Sequence, residues 1–524
     1  MIEPFRTALC RDPARAGDWN DLGLRFFMQG RLDEAITALS RSLSLQPVNP
    51  ESWSNLGTAR QYLGELGQAI EAFRRALSQA PQHASIHLNL GNALLEQGRI
   101  MEAITAYKSA LAVQPNLGIA EMNLSAAHLY QPGAGLETIL SHARRWSRSP
   151  LPAAPARPST TDRPKIGLIS ADFRQHAVGY LTIPAIEGLA RLGHSLTLYA
   201  NSWREDELTA RFVRSASQWR QTVGLDDAAL EAQIRADGID ILIDLSGFSA
   251  GNRMNALARK PAPIQIASWV GYPATTGLAA MDYILADRHQ IPEGADRFYS
   301  EKVLRLPDSY VSFEPPADAP DVGALPCIER GHVTFGSFNV AKKINPQVVS
   351  LWSRVMRTLP GSRLLMKGRG FDCQATREHF ITLFASNGIA EDRLQLVGSS
   401  PPAEHLGWMR EADLALDPFP YSGGRTTLEA LWMGLPLVTL PTASFAGRHS
   451  FGYLQTLGLS KWIARDETHY VDLAVALALD PAGLAKRRQE LRAHILTSVL
   501  ADTGKFARDL DTMLMTVWKD RHAG

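Results

Sequence analysis

Cysteine is scarce in this sequence: Cys10, Cys327 and Cys373 are the only three among 524 residues. They are too few and too widely spaced for a disulfide framework or a zinc site built from closely spaced ligands. Net charge is also nearly absent, since 54 Lys and Arg residues face 53 Asp and Glu residues. No overall field therefore steers the chain to nucleic acid or to an anionic membrane. Because no disulfide framework is present, we expect a reducing, cytoplasmic location.

Long apolar segments are missing as well. The first residues, Met1–Arg6, lack the apolar core of a signal peptide, and no uninterrupted apolar run is long enough to span a bilayer. The only Asp-x-Asp sequence, Asp509–Asp511, falls in a predicted helix, so we expect no metal site. No Gly-x-Gly-x-x-Gly with an acidic partner follows a strand, which disfavours a dehydrogenase.

A 34-residue repeat runs through residues 18–115 and predicts tetratricopeptide repeats in an N-terminal domain at 1–148. Small residues at fixed positions let the two helices of each repeat approach closely, and proline ends the second helix. These positions are Gly23, Gly57 and Gly91; Gly30, Gly64 and Gly98; Ala35, Ala69 and Ala103; and Pro47, Pro81 and Pro115. A superhelix of three to four repeats can hold an extended peptide, form a dimer surface or brace the rest of the chain.

After the repeats, a Pro-rich linker is predicted at 149–164, followed by two series of alternating strands and helices. They predict Rossmann-like domains at 165–312 and 331–524, with an interdomain linker at 313–330. In the first domain, strands are predicted at 166–170, 195–199, 239–244, 264–269 and 283–286, with helices at 182–192 and 227–236. In the second, strands are predicted at 332–336, 363–366, 394–397, 413–416 and 437–440, with helices at 346–358, 374–387, 402–411 and, without interruption, 481–518.

One stretch, 417–434, has the order of a phosphate-binding site: a short strand before it, a glycine turn and then a helix. Free backbone N–H groups and the positive end of the helix dipole would face an anion there. Gly423 and Gly424 allow a close approach, while Thr426 and Thr427 offer hydroxyl donors. The alternative is an ordinary strand-to-helix turn capped by Ser or Thr.

Five motifs in this order resemble the O-GlcNAc transferase family, in its bacterial form. They are Ser170–His176, Arg259–Gln265, Gly271–Gly277, Phe338–Ile344 and Gly424–Gly434. The resemblance implies a GT-B fold of two Rossmann-like domains after the repeats. It also implies an inverting, metal-independent transfer of GlcNAc from UDP-GlcNAc to Ser or Thr of a protein, with no cofactor besides the donor.

The resemblance implies three catalytic residues. Asp172 and His176 follow the first strand of the first domain, and either side chain is suited to orient or deprotonate an acceptor hydroxyl. The alternative for His176 is a capping or core histidine. Lys343 matches the family lysine at the diphosphate, where a fixed cation stabilises the leaving group. The adjacent Lys342 is a competing candidate for that role.

The resemblance also implies a nucleotide-sugar site in which His405 stacks on the base. Glu429 lies one turn into the predicted helix, where a carboxylate is suited to accept hydrogen bonds from ribose. The predicted binding residues are Arg253, Gly271, Pro273, His405, Gly424, Arg425, Thr426, Thr427 and Glu429. Arg425 replaces a small residue of the family, so it either adds a cation against the diphosphate or fills the site. The sequence departs from the family pattern again at Gln175, Ala177, Val178, Pro402 and Trp408.

The predicted partners are a nucleotide sugar and a protein or peptide acceptor lying along the repeats, where Asn20, Asn55 and Asn89 recur. Those asparagines alternatively brace neighbouring repeats. Neither nucleic acid nor a membrane is expected, and a homodimer through the repeats is a further expectation. The rival functions are transfer from GDP-fucose, transfer to asparagine or a glycan, and a peptide-binding scaffold with a degenerate cleft.

Overall fold

The computed structural model describes residues 14–147 and 163–523. All but the last two residues of the predicted linker at 149–164 lie outside the described residues. Cys10 and the N-terminal residues lie outside them as well, so those expectations stay predictions.

Eight helices make up the first part of the described chain. They are α1 (Ala16–Met28), α2 (Leu32–Leu45), α3 (Pro50–Leu63), α4 (Leu66–Gln79), α5 (Ala84–Glu96), α6 (Ile100–Val113), α7 (Gly118–His128) and α8 (Leu136–Trp146). A Cβ atom on Gly57 would lie 2.7 Å from the ring of Phe73, which explains why glycine recurs there. Gly91 faces Tyr107 in the same way, so the helix pairs of the predicted repeats are confirmed.

The first sheet has seven strands in the order β3-β2-β1-β4-β5-β6-β7, and every neighbouring pair is parallel. They are β1 (Ile166–Ser170), β2 (Leu196–Ala200), β3 (Gln218–Gln221), β4 (Ile241–Asp244), β5 (Ile264–Ala267), β6 (Tyr283–Asp287) and β7 (Lys302–Leu306). The register pairs Ile166 of β1 with Leu196 on one side and with Ile241 on the other. Strands β3 and β7 lie at the sheet edges and were not predicted. No residue of β3 is fully buried, and only Leu306 of β7 is, so neither strand forms a buried apolar run.

The second sheet has five strands in the order β10-β9-β8-β11-β12. They are β8 (Thr334–Ser337), β9 (Arg363–Lys367), β10 (Leu394–Val397), β11 (Leu414–Leu416) and β12 (Leu437–Val438). All five correspond to predicted strands. The predicted fold class, repeat helices followed by two Rossmann-like parallel sheets, is therefore confirmed.

Helices and short turns connect the strands of both sheets. The helices are α9 (Ala177–Arg191), α10 (Glu207–Ser215), α11 (Asp227–Asp237), α12 (Met254–Leu257), α13 (Pro326–Arg330), α14 (Pro346–Thr358), α15 (Gln374–Ser386), α16 (Pro402–Met409), α17 (Arg425–Trp432), α18 (His449–Thr456), α19 (Glu467–Ala478), α20 (Pro481–Leu496) and α21 (Thr503–Ala523). The prediction of one continuous helix at 481–518 is wrong. The chain breaks between α20 and α21, where the Asp502 carboxylate accepts the backbone N–H of Lys505 and starts a new helix.

Contacts divide the chain into two units. The first contains the described residues up to Gln131 together with Phe338–Ser353 and Leu364–Ser400; the second contains the remaining described residues. Helix α8 groups with the first sheet, since the Trp146 indole donates to the Thr276 carbonyl at 2.9 Å. The domain boundaries given above follow the chain rather than these contacts and stay predictions.

A search of the described helices for one that is both long and apolar enough to cross a membrane finds none.

Candidate active site

The strand order of the first sheet reverses between β1 and β4: these strands are neighbours in the sheet, although β2 and β3 separate them in sequence. Ligands of such sheets bind beyond the carboxyl ends of the strands at this point. Asp172 follows the end of β1 by two residues, and its backbone N–H donates to the Ser170 hydroxyl at 2.9 Å. The predicted catalytic aspartate therefore lies at the expected edge of the sheet.

Asp172 and His176 lie together. His176 Nδ1 is 3.4 Å from Asp172 Oδ2, and the Arg174 guanidinium is 2.8 Å from Asp172 Oδ1. His176 also caps helix α9, since its Nδ1 accepts the backbone N–H of Val178 at 3.3 Å. The capping role is thus present, but 42% of the imidazole side chain stays exposed. A neutral imidazole that accepts this N–H at Nδ1 carries its proton on Nε2, so the ring must release Val178 and change tautomer before it can receive a hydroxyl proton.

The glycine turn is held by a buried carboxylate. Asp417 Oδ1 accepts the backbone N–H of Gly423 at 2.8 Å, and Asp417 Oδ2 accepts the Thr439 hydroxyl at 2.7 Å. A side chain on Gly423 would collide with the Thr427 hydroxyl, so this position requires glycine. Gly424 precedes helix α17 and brings no side-chain oxygen to cap it. The Thr427 N–H donates to the Gly424 carbonyl at 3.1 Å, and the positive end of the helix dipole lies at this turn, where it favours an anion.

The two predicted threonines differ in their surroundings. Thr427 is buried, and its hydroxyl lies 2.8 Å from that of Ser450, so it supports the turn from within. Thr426 is only partly buried.

Arg425 fills the space beside Glu429. Its Nη2 atom is 2.7 Å from Glu429 Oε1, and both side chains are largely buried. His405 Nε2 is 3.8 Å from Glu429 Oε2, so two predicted binding residues converge on the carboxylate of a third. Burial raises the pKa of Glu429, and the neighbouring Arg425 cation opposes that rise. In this state the carboxylate predicted to bind ribose is paired with the chain's own arginine.

Tyr180 connects helix α9 to the start of helix α17, and it was not among the predicted site residues. The guanidinium carbon of Arg425 lies 3.3 Å from the centre of the Tyr180 ring, a close cation–π contact. Tyr180 lies in the first turn of α9, and its backbone N–H donates to the carbonyl of the capping residue His176 at 3.0 Å. The signal was hidden because the helix was predicted to begin at 182, whereas it begins at Ala177.

Arg253 is engaged by the chain itself. Its guanidinium donates to the carbonyls of Thr222 and Leu225 at 3.2 and 2.8 Å, and lies 3.2 Å from the Asp227 carboxylate. These contacts hold the connection between β3 and α11. The structure therefore gives this arginine a bracing role, and its predicted contact with the donor stays a prediction.

Gly271 lies in a constrained loop after β5. A Cβ atom there would collide with the Leu245 carbonyl oxygen, so the backbone runs too close for any side chain. Ser268 and Val270 adopt the left-handed conformation, with φ of 46° and 68°, which is strained for residues other than glycine. Pro273 is buried in the same loop. Strain of this kind is often found at ligand sites, in keeping with the predicted sugar pocket.

Lys343 belongs to the first unit, whereas the other predicted site residues belong to the second. It ends a single 3-10 turn, Ala341–Lys343, after strand β8. Lys342 has a different environment, because its ammonium lies 5.1 Å above the Tyr130 ring and burial lowers its pKa. Among the described residues, no group of three His, Cys, Asp or Glu side chains is placed to hold a metal ion.

The asparagines of the repeats have unequal roles. Asn20 is buried, and its amide oxygen accepts hydrogen bonds from Asn55 Nδ2 and the Ser52 hydroxyl, both at 3.0 Å. Asn20 therefore braces two consecutive repeats, which was the alternative to peptide binding. Asn89 is partly exposed, and its side chain makes no hydrogen bond within the described part of the chain.

Comparison with known proteins extends over the repeats and both sheets. The model of glycosyl transferase family 41 matches residues 140–313 and 327–510, and tetratricopeptide repeat models match residues 23–64 and 54–117. A solved structure of a Thermobaculum terrenum O-GlcNAc transferase mutant superposes with a TM-score of 0.91 at 34% identity. That similarity covers 98% of this chain and 99% of the other.

Two curated plant proteins are also similar. One is the probable UDP-N-acetylglucosamine–peptide N-acetylglucosaminyltransferase SPINDLY of Petunia hybrida, 34% identical over 68% of this chain. The other is the SEC protein of Arabidopsis thaliana, with the same printed activity, 29% identical over 68% of this chain. The matched regions span 38% and 37% of the lengths of these relatives.

Proposed function

This chain belongs to glycosyltransferase family 41, and from that premise we propose that it transfers GlcNAc from UDP-GlcNAc to Ser or Thr hydroxyls of proteins. The printed activities of the SPINDLY and SEC relatives and of the Thermobaculum enzyme support this donor and acceptor. One structural observation carries the proposal: Tyr180, on the helix that His176 caps, contacts Arg425 at the start of helix α17, where Arg425 pairs with Glu429.

The reaction is a single displacement at the anomeric carbon. The acceptor oxygen forms a bond to this carbon while the bond to the diphosphate oxygen breaks, so the configuration inverts. His176 takes the hydroxyl proton at Nε2 in the tautomer that carries its own proton on Nδ1. In that tautomer Nδ1 donates to Asp172, which orients the ring, instead of accepting the Val178 N–H. The electron pair of the broken bond stays on UDP, where Lys343 and the first N–H groups of α17 stabilise the added negative charge. These groups replace a metal ion in the mechanism.

The nucleotide is recognised by the neighbouring side chains. His405 stacks on uracil, and Glu429 accepts hydrogen bonds from the ribose hydroxyls once Arg425 turns toward the diphosphate. Protein acceptors reach the site along the repeats, in the cytoplasm. Homodimer formation through the repeats stays a prediction from the sequence.

The donor is tested by thermal unfolding of the purified protein with UDP, UDP-GlcNAc, GDP or GDP-fucose. Uridine ligands at 100 times their Kd should stabilise it by about 2.7 kcal/mol. Transfer of labelled GlcNAc to a protein acceptor should persist in EDTA. Stabilisation by guanosine ligands alone would favour the fucosyltransferase alternative. Stabilisation by none would favour the peptide-binding scaffold, and activity restored only by a divalent ion would contradict the metal-free mechanism.

Replacing Arg425 with methionine should raise the KM for UDP-GlcNAc about tenfold. Methionine keeps much of the buried apolar stem but removes a charge-assisted hydrogen bond to the diphosphate, which is typically worth about 1.5–3 kcal/mol. Initial rates over a range of donor concentrations measure the change, and Arg425→Lys serves as the control that retains the charge. A lower KM in Arg425→Met would instead show that the arginine obstructs the site.

A further inference from the structure

A buried hydrogen bond joins two residues that the proposed mechanism does not use. Tyr310 follows the last strand of the first sheet, and His449 begins helix α18; both side chains are almost fully buried. The Tyr310 hydroxyl is 2.8 Å from His449 Nδ1, and the two rings are stacked with their planes 27° apart. Burial raises the pKa of Tyr310 well above its usual value, so its hydroxyl keeps its proton.

The start of helix α18 holds the glycine turn at several points. The backbone N–H of His449 donates to the Ser422 hydroxyl at 3.1 Å, and that hydroxyl donates to the Ala446 carbonyl at 3.0 Å. The Ser450 hydroxyl lies 3.2 Å from the Gly423 carbonyl oxygen. A shift of His449 would therefore move the backbone of the turn.

The other end of this chain of contacts is fixed to the first sheet. The backbone N–H of Tyr310 donates to Asp287 Oδ2 at 2.8 Å, where Asp287 ends strand β6. Asp287 Oδ1 also accepts the backbone N–H groups of His289 and Gln290, and the Gln290 amide donates to the Arg448 carbonyl at 3.1 Å. Tyr310 is thus held rigidly at its own backbone.

We propose that Tyr310 is a positioning residue for the donor, acting through His449 on the phosphate-binding turn at 422–424. The inference rests on the proposed function, because it requires a nucleotide diphosphate at that turn. Backbone N–H groups stabilise a diphosphate only when they are held in place beforehand, and a displacement of about 1 Å can cost 100-fold in rate. Without the tyrosine hydroxyl, His449 Nδ1 loses a buried hydrogen-bond partner, and the residues that hold the turn shift in response.

The test compares Tyr310→Phe with Tyr453→Phe. The Tyr453 hydroxyl is also buried and lies 3.3 Å from that of Tyr310, and it forms no hydrogen bond to His449 in the described structure. Each variant loses one buried hydroxyl, so the two should melt at similar temperatures. The readouts are kcat and KM for UDP-GlcNAc, measured separately, and the Kd of UDP.

Tyr310→Phe should raise the KM for the donor and the Kd of UDP about tenfold, while Tyr453→Phe stays within about twofold of the wild type. Equal and small changes in both variants, with UDP still bound by the wild type, would overturn the positioning role alone. Failure of the wild type to bind any nucleotide diphosphate would overturn the proposed function, and this inference with it. If Tyr310→Phe does not fold, His449→Phe removes the same hydrogen bond from the other side and is judged by the same criteria.

Discussion

Replacing Lys343 with alanine should lower the rate of GlcNAc transfer by about 100-fold or more while the protein stays folded. As the glycosidic bond breaks, negative charge grows on the leaving oxygen of UDP, and a fixed cation beside it stabilises the transition state more than the ground state. The effect should therefore appear in kcat. The measurement is steady-state transfer to a protein acceptor, with circular dichroism and thermal unfolding to check the fold.

Lys342 provides the matched control one residue away. Its ammonium lies above the Tyr130 ring, so it packs within the first unit. Lys342→Met should lower the melting temperature, and its turnover should fall far less than that of Lys343→Ala. Wild-type turnover in Lys343→Ala would remove this lysine from the mechanism, and a 100-fold loss only in the Lys342 variant would move the role by one residue.

The parts of the site that the sequence could predict are those built from consecutive residues. A strand, two glycines and a helix in direct succession place backbone N–H groups at one point, whatever surrounds them. For this reason the turn at Gly423 and Gly424 could be predicted together with its helix. The repeats could be predicted because close helix contacts, such as that between Gly57 and Phe73, require small residues that recur every 34 residues.

Contacts between distant segments could not be predicted in this way. Tyr180 meets Arg425 across 245 residues of sequence, and Tyr310 meets His449 across 139. Neither tyrosine stands in a motif, and a buried tyrosine is by default part of a core. The opposite failure occurs at Asn20, whose position in the repeat suggested peptide binding, although its side chain is buried against Asn55 and Ser52.

A chain that begins at Thr161 should lose protein glycosylation and donor hydrolysis together. Within the first unit, the loop at Gly98 lies against the Ala341 carbonyl and the Phe380 ring, in the segments that carry Lys343 and helix α15. Removing the repeats should expose these contacts and free the turn that carries Lys343. Helix α8 would be lost as well, and with it the packing of Ala143 against Gly277 on the first sheet. Thermal unfolding and assays of both reactions measure the outcome.

Joint loss of the two activities in that shortened chain would show that the repeats complete the fold. A milder substitution is then needed to test whether the repeats also bind the acceptor. Asn89→Ala in the full-length chain removes a partly exposed amide whose side chain has no hydrogen bond to break within the described residues. If the repeats present the acceptor, this variant should lower glycosylation of a protein while hydrolysis of UDP-GlcNAc is unchanged. Asn20→Ala is the contrasting control, because it breaks a brace between repeats and should lower stability. A shortened chain that keeps hydrolysis but loses only protein glycosylation would contradict the structural argument and make the repeats a separable acceptor platform.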